Sequence, residues 1–102
     1  MNIAPEQFEK AFAEFQQFGP SRRIPIEERW REILPSVDPS EFAALQAQCT
    51  EIEASALALA ELVRDKKVAD GIARKQLAEK YPFLQQGRLD HTWSQAMYFA
   101  LK

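Results

Sequence analysis

A chain of 102 residues, 46% apolar and 27% charged, has material for one hydrophobic core and one ordinary domain. It is too apolar for a disordered segment, and three glycines are too few for a turn-rich all-β fold. One cysteine excludes an internal disulfide framework and a cysteine-rich zinc site, and a net charge of −2 gives no global attraction to nucleic acid.

Residues 1–10 are acidic and amphipathic, with no basic segment leading into an apolar run, so no secretory signal is read. The most apolar stretch, residues 54–63, has Glu61 inside it. It is about half as long as a membrane span requires. The expected location is the cytoplasm, where a lone thiol stays reduced. Ala, Glu, Gln, Leu and Lys dominate, β-branched residues are sparse, and no stretch alternates like a strand. The expectation is a single all-α domain over residues 1–102. Four to five helices form an irregular bundle around one long central helix at about 39–66.

The first helix is predicted over residues 5–18. Pro5 suits an early helical position. Phe8, Ala11, Phe12 and Phe15 share one face, and Gly19-Pro20 ends the segment. A second, short helix is predicted over residues 25–34, where Ile26, Trp30, Ile33 and Leu34 form a stripe. Glu27, Glu28, Arg29, Arg31 and Glu32 cover the other side, and Pro35 stops the helix.

Asp38-Pro39-Ser40-Glu41 then reads as a helix start: a capping acid, a first-turn proline and a further acid. No Gly or Pro follows before Lys67, so this helix is expected to reach about 40 Å. Phe42, Leu45, Cys49, Ile52, Ala56, Leu59 and Val63 recur in alternating steps of three and four, a heptad pattern. Leu57 and Leu62 widen it toward the C-terminal end. The stripe fits either a bundle within one chain or pairing with a second copy. The helix's length makes these seven positions the candidate self-association surface. Cys49, inside the stripe, reads as a small hydrophobe and not a nucleophile.

A fourth helix is predicted over residues 68–80, its inner face formed by Ala69, Ile72, Ala73, Gln76 and Leu77. Gly71 weakens it or permits close approach of another helix. After a loop at 82–87 a fifth helix runs from Arg88 or Leu89 to Leu101. Leu89, Trp93, Ala96, Met97, Ala100 and Leu101 form its apolar face. The opposite side carries Arg88, His91, Gln95, Tyr98 and Lys102, with Phe99 between the faces. An aromatic on an outward face points to an interface, so these five residues are the candidate partner-facing surface. The core is expected to comprise Phe8, Phe12, Phe15, Trp30, Leu45, Ile52, Leu59, Ile72, Leu77, Trp93 and Met97.

Catalytic chemistry has little to work with. His91 and Cys49 are the only residues of their kinds and fall on different helices, the glycines are isolated, and no metal-ligand spacing is present. No catalytic residue, metal ligand or cofactor is therefore expected. Residues 1–65 carry a net −6 and residues 66–102 a net +4. Such asymmetry suits a dimer with opposed ends or an acidic partner. The expected function is a non-catalytic protein–protein interaction module that self-associates, most simply as a homodimer, through the long helix. The alternative is nucleic-acid binding through a helix-turn-helix-like hairpin at 68–102. Against it stand a long connecting loop and few basic residues on the second helix. A small-molecule pocket lined by the many aromatics is a third option.

Overall fold

The structure is a computed structural model and describes residues 3–17 and 24–102. Among the described residues there are five α-helices and no strand. In chain order they are α1 (Pro5–Phe15), α2 (Ile26–Ile33), α3 (Phe42–Arg64), α4 (Asp70–Lys80) and α5 (Gln86–Leu101). The chain divides into two units, Met1–Cys49 and Thr50–Lys102, and α3 runs through the boundary.

In the first unit, α1 begins with Pro5 behind an extended Ala4 and buries Phe8, Ala11 and Phe12. It stops at Phe15, earlier than expected. Gly19 and Pro20, the expected stop, lie outside the described residues. Phe15 is only half-buried, yet its ring stacks on Trp30 with centroids 6.5 Å apart. Trp30 is the centre of this unit. It has 0% exposure, tilts against Phe42 at 5.6 Å, and donates its indole N–H to the Ala11 carbonyl at 3.0 Å. A buried indole requires such an acceptor.

Arg29 departs from the sequence reading, which placed it on the solvent side of α2. It is buried. Its guanidinium donates from Nε to the Ile24 carbonyl at 3.1 Å and from Nη1 to the Glu14 carbonyl and the Glu14 Oε1, both at 3.0 Å. Arginine's rigid fork can serve several acceptors at once. A residue flanking an apolar stripe is thereby drawn inward.

The start of α3 combines expected and unexpected features. Asp38 caps as expected, accepting from the Ser40 N–H at 2.9 Å, and that bond holds its carboxyl below the usual range. The capped turn, however, is a 3-10 turn over Pro39–Glu41, and α3 proper begins at Phe42. Tight turns of this kind are common at helix entrances.

At the other end α3 stops at Arg64, short of the expected 66 or 67. The Lys67 N–H bonds the Leu62 carbonyl at 2.9 Å and the Lys66 N–H bonds the Val63 carbonyl at 3.0 Å, the two bonds of a Schellman ending. Lys66 takes the left-handed position with φ 60°, where glycine is the usual occupant. A side chain there costs about 1–2 kcal/mol, and glycine recovers part of that. Lys66→Gly is therefore expected to raise stability by about 0.5–1 kcal/mol. A thermal melt checks this, and an unchanged or lowered midpoint would speak against the strain.

Along α3 the buried positions are Phe42, Leu45, Cys49, Ile52, Ala56 and Ala60. The expected seam agrees as far as Ala56 and then diverges: Ala60 is buried, while Leu59 and Val63 are half-buried. A straight α-helix drifts about 20° per heptad against a strict seven-residue repeat. The buried line therefore passes from 56 to 60 where a supercoiled seam would keep 59.

In the second unit, α4 starts at Asp70 behind an extended Ala69, two residues later than expected. Its inner positions are Ala73 and Leu77, continued by Tyr81 just past its end. Ile72, expected in the core, is 56% exposed, and Gln76 is exposed too. Polar anchors on the inner side set this rotation. The Asp70 carboxylate accepts from the Trp93 indole N–H at 3.0 Å, and Arg74 pairs with Asp90 at 2.8 Å. Asp70, Ala73, Arg74 and Leu77 share one face, leaving Ile72 on the opposite side of the helix, about 160° from Asp70. Gly71 lies in the first turn with open space where a Cβ would stand, so no close approach depends on it.

The connection between α4 and α5 contributes Tyr81 and Leu84 to the interior. The Tyr81 hydroxyl meets Ser55 Oγ of α3 at 2.8 Å, and Lys80 Nζ donates to the same Ser55 oxygen at 3.1 Å. α5 begins at Gln86, earlier than expected, with Gly87 inside it. Leu89, Thr92, Trp93, Ala96 and Ala100 are buried, Met97 is half-buried, and Leu101, expected on the apolar face, is 66% exposed. Arg64 Nη1 donates to the Ala100 carbonyl at 3.0 Å, fixing the end of α3 against the end of α5.

Candidate docking groove

Two helix stripes in the second unit run side by side. On α3 they are Thr50, Glu53, Ala54 and Leu57; on α5 they are Thr92, Gln95, Ala96 and Phe99. Thr50, Ala54 and Phe99 are exposed, Glu53, Leu57 and Gln95 half-buried, and Thr92 and Ala96 buried. Each set follows the spacing i, i+3, i+4, i+7, one helix face over two turns, or about 10 Å. Together they line a groove of about 250 Å³. Half of the lining is small, two threonines and two alanines, with Leu57 and Phe99 as the large apolar members. That volume is at or below the lower end for small-molecule sites, and Phe99 is its single aromatic.

Besides Phe99, which lines the groove, α5 exposes Tyr98 and Leu101 on other faces of the helix. Tyr98 is 64% exposed, Phe99 49% and Leu101 66%. The Tyr98 and Phe99 rings meet edge to face with centroids 5.5 Å apart, and Lys102 Nζ lies 5.8 Å from the Tyr98 ring centre.

Of the candidate partner-facing residues, His91, Tyr98 and Lys102 are exposed, while Arg88 and Gln95 are half-buried. Partial shielding of the His91 ring, aided by the nearby Arg88 charge, holds its pKa below the ordinary histidine range. His91 is therefore neutral at pH 7.

The candidate self-association residues are placed differently. Phe42, Leu45, Cys49, Ile52 and Ala56 are 2% exposed or less, and Leu59 and Val63 are half-buried. A second copy cannot reach the first five without opening the chain. The flank of the same helix formed by Thr50, Glu53, Ala54 and Leu57 is part exposed and part half-buried, and it lies outside the expected stripe. Its signal was a second stripe at helical spacing, masked by its threonine, glutamate and alanine.

Among the described residues no group of three or more His, Cys, Asp or Glu is placed to hold a metal, and no helix is long and apolar enough to cross a membrane. Cys49 is buried and His91 exposed. The Ser55, Lys80 and Tyr81 cluster is a polar tie, and Ser55 does not line the groove. Comparison with protein-family models, characterised proteins and solved structures finds no match.

Proposed function

We propose that this chain is a non-catalytic protein-interaction module that docks an amphipathic helix in the α3–α5 groove. The observation that carries the reading is the pair of matched stripes, Thr50–Glu53–Ala54–Leu57 and Thr92–Gln95–Ala96–Phe99, lining one trough. A helix seated in a trough between two others is a recurrent recognition mode, with anchors at the same i, i+3, i+4, i+7 spacing. The small floor residues let a third helix approach closely, and the exposed aromatics supply the rigid anchors that dominate such interfaces. This reading keeps the long helix as the interaction element and moves the contact from its buried seam to its exposed flank.

Ala54→Glu provides the test. Ala54 is exposed and helical, so glutamate there is compatible with the fold and places a charge on the groove floor. The variant is expected to melt like wild type and to lose both self-association and capture of other proteins. Binding that survives the substitution would refute the groove. For nucleic acid, Arg74 is already paired with Asp90, and Arg88 is half-buried. No salt-dependent gel shift is expected at low ionic strength.

A further inference from the structure

We infer that α4 is a latch: it melts ahead of the rest of the second unit, and in melting it uncovers Trp93 of α5. The inference stands apart from the docking reading, since the groove is lined by α3 and α5 alone. Little holds α4 as a helix. It has 11 residues, and of these only Ala73 and Leu77 are buried. Isolated helices shorter than roughly 12–15 residues are marginal in water, so α4 depends on its packing. Its N-terminus has no side-chain cap, and Gly71 stands in the first turn, where its backbone freedom favours the unfolded chain. α5, by contrast, buries Leu89, Thr92, Trp93, Ala96 and Ala100. Segments with few buried apolar contacts open at the lowest free energy.

The ties from α4 to α5 are polar. Asp70 accepts from the Trp93 indole N–H at 3.0 Å, and Arg74 pairs with Asp90 at 2.8 Å. Both members of that ion pair are about half-exposed, so water and salt screen it. The ends of the segment are firmer. Before it, the Lys66 and Lys67 N–H groups close the last turn of α3. After it, the buried Tyr81 meets Ser55 of α3. Residues 68–80 therefore melt between two fixed points while α3 and α5 stay in place.

Trp93 is what the latch hides. It is 5% exposed, and the α4 face that carries Asp70, Ala73, Arg74 and Leu77 supplies the carboxylate to its indole. When α4 melts, the indole N–H exchanges that carboxylate for water. Tryptophan is among the side chains most enriched at binding hot spots. The open state thus offers an anchor that the closed state withholds.

Native-state hydrogen exchange of the intact chain, in urea below the unfolding transition, tests this. The amides of residues 74–80 are expected to exchange about tenfold or more faster than those of residues 52–60 in α3. Their rate is expected to be nearly independent of urea, because melting one short helix exposes little surface. The Trp93 indole N–H is expected to share the protection of α4 and not that of α3. Gly71 has open space where a Cβ would stand, so Gly71→Ala is expected to slow exchange of α4 and of the indole together, by about two- to fivefold.

Residues 74–80 that match residues 52–60 in protection and in urea dependence overturn the inference, since α4 would then open only when the whole unit unfolds. So does an indole that stays protected while α4 opens, because α4 would not be its cover. Exchange of α4 unchanged by Gly71→Ala overturns it as well, because the opening would not pass through melting of the helix.

Discussion

Trp30→Ala is expected to unfold the first unit at temperatures where wild type is intact. Trp30 has 0% exposure, lies against Phe15 and Phe42, and bonds the Ala11 carbonyl. Removing a buried indole costs about 3–5 kcal/mol through lost burial and the cavity left behind, a large share of the 5–15 kcal/mol typical of a whole domain. Trp30→Phe separates the contributions. It keeps most of the apolar volume and removes only the indole's bond to the Ala11 carbonyl, a net loss of about 0.5–1.5 kcal/mol. Near-ultraviolet circular dichroism on heating reads both variants. The expected order is wild type, then Phe, then Ala, with Ala losing its tertiary signal first. An alanine variant that melts with wild type would mean that Trp30 is not the keystone of this unit.

The Arg29 contact is the second large effect. Arg29 and Glu14 are 10% and 18% exposed at their side chains, and the guanidinium also bonds two carbonyls. Removing one partner of a buried pair strands the other. Arg29→Ala is therefore expected to cost about 3–5 kcal/mol. Lysine cannot reproduce the fork, so Arg29→Lys is expected to recover little of the loss. The double variant Arg29→Met with Glu14→Gln removes both charges and is expected to be more stable than Arg29→Ala. Denaturant titration gives the order. An Arg29→Ala midpoint equal to wild type, or a double variant below the single, would contradict a buried, mutually dependent pair.

The fold was legible where an apolar period met strong punctuation. Phe8 and Phe12 on α1, Trp30 on α2, and Leu45, Cys49 and Ile52 on α3 all recur at helical spacing, and all are buried. The sequence reading failed where a polar group set the outcome. Apolar spacing alone turns Ile72 inward. Asp70 and Arg74 rotate α4 by bonding Trp93 and Asp90, and such cross-helix partners have no local signature. The end of α3 was missed for a related reason. A Schellman turn ordinarily announces itself with glycine, and here Lys66 occupies the left-handed position. An arginine flanking an apolar stripe is usually solvated, and nothing local in the sequence marks Arg29 as the exception.

The candidate site divides in the same way. The outward placement of His91, Tyr98 and Lys102 followed from the amphipathic pattern of α5. The flank of α3 did not, because a floor of Thr50 and Ala54 resembles an ordinary solvated face until α5 is seen beside it. The heptad pattern was real, but a periodic stripe does not say what covers it. The chain itself buries Phe42, Leu45, Cys49, Ile52 and Ala56, and the proposed docking surface lies elsewhere on the same helix.

Cys49 reports on that point most directly. It occupies the middle of the heptad stripe with 0% exposure and is the chain's single thiol. The decisive measurement is the rate at which a thiol reagent modifies the native protein at high dilution. A stripe enclosed within the chain predicts a thiol that reacts only as fast as the protein unfolds, at a rate independent of protein concentration. Rapid modification of the dilute native chain, slowed as concentration rises, would show that a second copy and not the chain itself shields the stripe.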